Sequence, residues 1–133
     1  EEGGELVPAL VGQGIDPIFL LAPTSTRERI RRVAEASRGF VYYVSRTGVT
    51  GERSALSGSL SSELRRVRRI VDLPIAVGFG ISSAEQVAAV ARLADGVVVG
   101  SALVRLVEEH AAESDLPDRL EARVRELVGG LRR

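Results

Sequence analysis

Short apolar runs alternate with amphipathic segments along the chain, four times in succession. The runs are Pro17–Ala22, Phe40–Ser45, Pro74–Val77 and Gly96–Val99. Each is apolar at nearly every position, which is typical of strands buried on both faces of a sheet. Each is followed by a segment whose apolar residues recur at helical spacing. Four such units predict a parallel sheet with right-handed crossovers.

Several helix boundaries can be predicted from local signals. Residues 5–13 have the pattern of a helix that Gly14 terminates. A Ser followed three residues later by a Glu predicts a capping box, and this spacing occurs at Ser25–Glu28 and again at Ser82–Glu85. A short helix is expected from Ala102, followed by a last amphipathic helix that begins near Pro117. One side of this last helix carries the apolar stripe Leu120, Val124, Leu127 and Leu131.

The region between the second and third strands is expected to be a long polar loop, Arg46 to Gly58, followed by a helix. One face of that helix carries Leu60, Leu64, Val67 and Val71. The other face is rich in arginine: Arg65, Arg66, Arg68 and Arg69. These arginines are interpreted as a solvated outer face rather than as an anion site.

The length of 133 residues suits one domain, whereas a complete (βα)8 barrel needs about 250 residues. Periodicity alone does not distinguish an open sheet from a sector of a barrel. The chain begins at Glu1, within a helical stretch, which indicates a fragment or a processed product. The 18 basic and 18 acidic residues balance, and no basic patch with interleaved aromatic residues predicts nucleic-acid binding. No apolar run approaches the roughly 20 residues of a membrane span, so the expected location is the cytoplasm.

Missing residue types restrict the chemistry of the chain. The sequence has no Lys and no Cys, which excludes a Schiff-base lysine and a thiol nucleophile within it. The single histidine, His110, lies late in a helical region and is interpreted as a solvated helix residue. Because the sequence has no Cys and a single His, a typical zinc site is also excluded.

Glycine-bearing turns follow three of the predicted strands: Gly48–Gly51, Gly78–Gly80 and Gly100–Ser101. Backbone N–H groups at such turns and at helix N-termini bind anions without a cationic side chain. The turns after the last two strands are the usual phosphate site of (βα)8 barrels. The pattern alone leaves two interpretations open, phosphate binding and plain turn geometry.

Four segments together resemble tryptophan synthase alpha chains. In order they are DPIFLLAPT (16–24), FVYYVSRTGVTG (40–51), PIAVGFGIS (74–82) and ADGVVVGSA (94–102). The second is the most distinctive, whereas the last two would also suit another phosphate-binding barrel such as a phosphoribosyl isomerase. The resemblance covers essentially the whole chain, in the family's order. It implies that residues 1–133 are a single domain, the C-terminal half of a TIM (βα)8 barrel, with four strands and flanking helices.

The family's reaction is the retro-aldol cleavage of indole-3-glycerol phosphate to indole and glyceraldehyde 3-phosphate, without metal or organic cofactor. The resemblance implies a small-molecule phosphate substrate and, for the full-length parent, a tryptophan synthase beta chain as partner. It also assigns site residues. Those that hold the substrate phosphate are Gly51, Gly80, Gly100 and Ser101; those that line the indole pocket are Leu20 and Phe79; those that assist catalysis are Tyr42 and Thr50.

The sequence departs from the family pattern in one large respect. Nothing in it matches the family's catalytic Glu and Asp, and Asp16 and Asp95 lie at strand starts, the stability end of a barrel. We therefore expect the chain alone to be inactive. Strands cut from a barrel leave unpaired edges, so self-association or recruitment of a complementary half-barrel is expected. The alternative from another class is a structural or designed half-barrel module that self-associates.

Overall fold

In the computed structural model, helices and parallel strands alternate along the chain. The structure describes residues 4–45, 53–78 and 80–131. Within these ranges the elements are, in chain order, α1 (Leu6–Gly12), β1 (Leu20–Leu21), α2 (Arg27–Ala36), β2 (Val41–Val44), α3 (Arg53–Arg68), β3 (Ile75–Gly78), α4 (Ala84–Ala91), β4 (Gly96–Val98), α5 (Ser101–His110) and α6 (Leu116–Gly129).

The strands form one parallel sheet in the order β1-β2-β3-β4. Each strand pairs with the next strand along the chain, as the four predicted strand–helix units require. Leu20 is opposite Tyr42, and Tyr42 is opposite Ala76. The parallel arrangement predicted from the sequence is therefore confirmed, and all four strands end at the same edge of the sheet.

The two faces of the sheet differ in burial. The face that carries Leu21, Tyr43 and Val77 is buried, because the helices cover it. On the opposite face, Leu20 is 50% exposed and Tyr42 is half-buried. Alternate residues of a strand point to opposite faces, so this difference follows from the register. The core therefore lies between sheet and helices, and the opposite face is open.

Both predicted capping boxes are wrong by one residue. Thr26, not Ser25, caps α2, and its side chain accepts a hydrogen bond from the Arg29 N–H. Ser83, not Ser82, caps α4 and forms a capping box with Gln86. The physical reason at the first site is that the Ser25 hydroxyl already accepts a hydrogen bond from the Ala22 N–H, at 3.0 Å.

Strand and helix bounds also differ from the predictions. The first strand is only two residues long, because the chain pairs with β2 only at Leu20 and Leu21. Helix α3 begins at Arg53, within the predicted polar loop. Residues 53–58 therefore belong to the helix and not to the loop.

The last helix packs against α4. Leu127 of α6 is buried, and a Cβ at Gly130 would collide with the carbonyl oxygen of Ala84. The other apolar residues of the predicted stripe are less covered, since Val124 is 42% and Leu131 52% exposed. Only part of the predicted apolar face of α6 is therefore in the core.

Large apolar side chains are exposed near both ends of the chain. Helix α1 has no buried residue. The exposed set divides into residues before or within β1 and residues after β4: Leu6, Val11, Ile15, Ile18 and Leu20; Val104, Val107, Val124, Val128 and Leu131. Among the described helices, none combines the length and the apolar character that a membrane span requires.

Candidate active site

Two of the predicted phosphate-binding residues follow neighbouring strands at equivalent positions of the strand register. Gly78 of β3 pairs with Val98 of β4. Gly80 and Gly100 each come two residues after these paired positions. The structure therefore places Gly80 and Gly100 beyond adjacent strands at the carboxyl edge of the sheet, where parallel α/β folds bind their ligands.

Gly100 is the residue before the first turn of α5, and Ser101 is the first helical residue. The first N–H groups of a helix have no partner within the helix, and the N-terminus carries a partial positive charge. In the described part of the chain no side chain caps α5. Its N-terminal N–H groups at the carboxyl edge are thus suited to bind an anion.

The loop from Gly80 to Ser83 connects β3 to α4. Gly80 has a φ of +68°, a conformation that glycine adopts readily and other residues rarely adopt. The Gln86 side chain accepts hydrogen bonds from the N–H groups of Ser82, at 2.7 Å, and Ser83, at 3.1 Å. Arg123 of α6 donates a hydrogen bond to the Ser82 carbonyl. Contacts from two helices therefore hold this loop.

Leu20 and Tyr42 lie side by side on the open face of the sheet, since they are paired residues of β1 and β2. Tyr42 also lies over β3, where a Cβ at Gly78 would be 2.5 Å from its hydroxyl oxygen. The structure therefore brings the predicted pocket residue Leu20 and the predicted assisting residue Tyr42 to the same surface.

A cleft of about 430 Å³ opens at the carboxyl ends of β1 and β2. Leu20 and Val44 contribute its apolar wall, and Thr24 and Arg29 contribute polar groups. The lining of this cleft is mostly apolar, with a few polar groups.

An arginine on α3 holds the turn that forms one rim of this cleft. The Arg66 guanidinium donates hydrogen bonds of 3.0 Å to the carbonyls of Pro23 and Ser25. Within the turn, Ser25 N–H donates to the Ala22 carbonyl at 2.9 Å. Arg66 is exposed, as predicted for the arginines of α3. Its guanidinium is nevertheless hydrogen-bonded to backbone carbonyls of the turn.

Asp16 and Asp95, the two aspartates at predicted strand starts, lie away from this edge. Asp95 is immediately before β4, and its carboxylate accepts 2.8 Å hydrogen bonds from the Ile75 N–H and from Arg68. The Ile75 hydrogen bond first, and then Arg68, lower the pKa of Asp95 below its usual value, although burial opposes this. Asp95 therefore links the N-terminal ends of β3 and β4.

Other buried or half-buried polar contacts involve pairs that the sequence did not indicate. Tyr43 is fully buried, and its hydroxyl donates a 2.6 Å hydrogen bond to Glu63 of α3. Burial and then the neighbouring Glu63 carboxylate raise the pKa of Tyr43. His110, expected to be solvated, is hydrogen-bonded to Glu113 at 2.8 Å. A pair of polar residues separated by 20 positions gives no local signal, so Tyr43–Glu63 could be found only in the fold.

Three predicted site residues, Thr50, Gly51 and Phe79, lie outside the described residues. Among the residues that are described, no group of three or more His, Cys, Asp or Glu side chains is close enough to hold a metal ion. The candidate site consequently rests on backbone N–H groups at two strand ends and on the open face beside them.

A family model described as "Tryptophan synthase alpha chain" matches residues 1–131. The chain belongs to the tryptophan synthase alpha chain family. The alpha chain of Solibacter usitatus is 52% identical over 130 residues, which cover 98% of this chain and 49% of the relative. The chain thus spans about half the length of the curated alpha chains that it matches.

Solved tryptophan synthase structures share the fold. Tryptophan synthase of Mycobacterium tuberculosis contains a chain with 44% identity and a TM-score of 0.80, with 99% of this chain and 48% of that chain covered. The tryptophan synthase alpha subunit of Legionella pneumophila gives a TM-score of 0.82 at 28% identity, with coverages of 98% and 47%. The predicted fold class, parallel strand–helix units of a TIM barrel, is confirmed.

Proposed function

We propose that this chain is the phosphate-binding half of a tryptophan synthase alpha chain. The parent reaction is the retro-aldol cleavage of indole-3-glycerol phosphate to indole and glyceraldehyde 3-phosphate. The observation that carries the proposal is the placement of Gly80 and Gly100 two residues beyond paired positions of β3 and β4. The α5 N-terminus, with Ser101 at its first position, supplies donors and a favourable dipole. Gly51 completes the phosphate-binding set in the resemblance.

The substrate's indole ring would lie on the open face of the sheet. Leu20 offers exposed apolar surface there and Tyr42 is its neighbour. Phe79, between Gly78 and Gly80 in the sequence, is the second proposed wall of the indole pocket. Tyr42 and Thr50 assist the reaction in this proposal, and neither transfers the proton that the cleavage requires.

The chain alone lacks the acid–base groups of this chemistry. A general acid or base must be within hydrogen-bond reach of the proton that it transfers, and each typically contributes about 10²–10⁴ in rate. Asp95, the carboxylate nearest to β4 in sequence, already binds Ile75 and Arg68. We therefore expect no indole release at an enzymatic rate from rigorously purified chain supplied with indole-3-glycerol phosphate. Indole formation at such a rate, traced to this chain by co-purification and mass, would refute the inactivity.

Partners follow from the same proposal. The full-length parent would bind a tryptophan synthase beta chain in the cytoplasm. The isolated chain would associate with itself or with a complementary half-barrel, because apolar side chains are exposed before β1 and after β4. This exposure also favours the second candidate, a structural half-barrel module that works by self-association alone.

Phosphate titration followed by backbone amide chemical shifts tests the proposal. Saturable shifts are expected at Gly80, Gly100 and Ser101, with an affinity in the millimolar range, about −4 kcal/mol. Gly100→Pro should abolish binding, because it removes an N–H donor and fixes a φ that differs from the observed −120°. Arg65→Ala is the matched control, since Arg65 is exposed on α3 and its guanidinium donates a hydrogen bond to Ser61 of the same helix. Shifts confined to the arginines of α3 would show that the anion site is elsewhere.

A further inference from the structure

Helix α6 makes two contacts with the segment that carries Gly80. The Arg123 guanidinium donates a hydrogen bond to the Ser82 carbonyl, and its other nitrogen pairs with Glu126 at 2.6 Å. At the end of the same helix, Gly130 packs so closely on the Ala84 carbonyl that a Cβ there would collide with it. The loop from Gly80 to Ser83 is therefore held by α6 as well as by Gln86 of α4.

These contacts bear on the loop geometry that phosphate binding requires. Backbone donors act only when their N–H groups converge on one point, so a small displacement of a loop lowers affinity without removing a donor. The Gln86 amide fixes the N–H groups of Ser82 and Ser83. The Ser82 carbonyl is fixed by Arg123. Together they orient both sides of the peptide groups that follow Gly80.

We infer that Arg123 is a positioning residue for phosphate, and that α6 holds the phosphate loop in its binding conformation. This inference rests on the proposed function. Arg123 has a side chain only 29% exposed, whereas Arg125, two positions along, is 78% exposed and pairs with Glu121. The two arginines share a helix and a charge, but only Arg123 contacts the loop. Arg125 is consequently a matched control.

The experiment compares four purified chains, the wild type, Arg123→Ala, Arg125→Ala and Gly130→Ala, with inorganic phosphate as the probe. Before phosphate is added, Arg123→Ala and Gly130→Ala should shift the amide resonances of Gly80, Ser82 and Ser83. Arg125→Ala should not shift them. This step tests the contact between helix and loop whether or not phosphate binds.

On titration, Arg123→Ala should raise the phosphate Kd by about five- to tenfold, the usual consequence of losing one hydrogen bond that orders a site. Gly130→Ala should also raise it, although it changes no charge. Arg125→Ala should change it less than about twofold. Melting temperatures of all four chains show which variants remain folded at the titration temperature.

The outcomes separate the inference from the function on which it rests. Weaker binding in Arg123→Ala alone, with Gly130→Ala unchanged, would mean that Arg123 acts by its charge, and the positioning role would be wrong. An equal loss of phosphate affinity in Arg123→Ala and Arg125→Ala would also mean that Arg123 acts by its charge. Wild-type phosphate binding that neither Arg123→Ala nor Gly130→Ala alters would overturn the inference and leave the proposed function intact. No phosphate shifts in the wild type would refute the proposed function itself.

Discussion

Gly78 has no side chain at a position of β3 over which the Tyr42 ring lies. A Cβ at Gly78 would lie 2.5 Å from the Tyr42 hydroxyl oxygen, 2.8 Å from its Cε2 atom and 2.9 Å from the Cβ of Val98. Contacts this short force side chains or backbone to shift. Gly78 therefore sets how deeply the ring of Tyr42 can lie on the open face of the sheet.

Gly78→Ala should destabilise the fold by about 1–3 kcal/mol, because the added methyl overfills this contact. The cost should fall by about 1 kcal/mol or more in a Tyr42→Ala background, since two of the three close atoms disappear. Urea unfolding of the single and double variants measures this coupling. Gly96→Ala is the milder control, because its Cβ would be 3.3 Å from the Ala76 Cβ. An equal cost in both backgrounds would contradict the assigned contact.

Arg66→Ala should loosen the turn after β1. The change removes both hydrogen bonds to the carbonyls of Pro23 and Ser25, at a cost of about 1 kcal/mol. Amide hydrogen exchange should therefore accelerate at Ala22 and Ser25, which are hydrogen-bonded within the turn. Arg69→Ala is the control, because Arg69 is exposed and its side chain forms no hydrogen bond or ion pair within the described residues. Identical exchange in both variants would show that Arg66 does not hold the turn.

The Asp95 carboxylate should make stability depend on acid pH. The Ile75 N–H and Arg68 hold the pKa of Asp95 below its unfolded value, so its contribution is present above about pH 4. It is lost as the pH falls through the folded pKa. Asp95→Asn keeps an acceptor for Ile75 but loses the charge; because the site is partly exposed, the expected cost at neutral pH is about 0.5–1 kcal/mol.

The difference between wild type and Asp95→Asn should shrink as the pH is lowered from 5 to 3 (about one unit on each side of the usual Asp pKa), as measured by urea unfolding at each pH. Asp72→Asn is the control, because Asp72 is exposed and has no ion pair or hydrogen bond within the described residues. A difference that grows on acidification would show that the sign is wrong.

The isolated chain should not remain a monomer at micromolar concentration. Apolar side chains exposed on α6, such as Val128 at 40%, would be removed from water by association. Light scattering should give a mass above 14.2 kDa, and Val128→Glu should lower the associated fraction. Arg125→Glu, on the same helix, should have less effect. A stable, folded monomer would count against self-association.

The strand–helix order and the position of Gly80 and Gly100 beyond neighbouring strands could be predicted because they depend on local pattern. Alternation of apolar runs with helical spacing identified all four strands to within a few residues. The capping residues could not be predicted as reliably. Ser25 and Thr26 both suit a cap, and the choice depends on whether the Ser25 hydroxyl is already bonded to the Ala22 N–H.

Contacts between distant positions needed the fold. Arg66 has the same residue type and exposed position as its neighbours on α3, so nothing in the sequence distinguishes it as the residue that binds Ser25, 41 positions away. The same holds for Arg123 and Ser82, whose meeting depends on how α6 packs against α4. Residues that shape a loop from a distance therefore escape sequence analysis, whereas the loop's own glycines do not.

The sequential strand order has a consequence for how the chain folds. Each described strand pairs with the strand just before or after it in the sequence, so every pairing spans a single helical crossover. Closing one crossover costs less chain entropy than pairing strands from the two ends of the chain would, and the sheet can grow one unit at a time from any adjacent pair. β2 and β3 each have two neighbours, whereas β1 and β4 each have one. The central pair should consequently be the last part of the sheet to open, with amide exchange slowest at Tyr43 and Val77 and fastest at the outer strands.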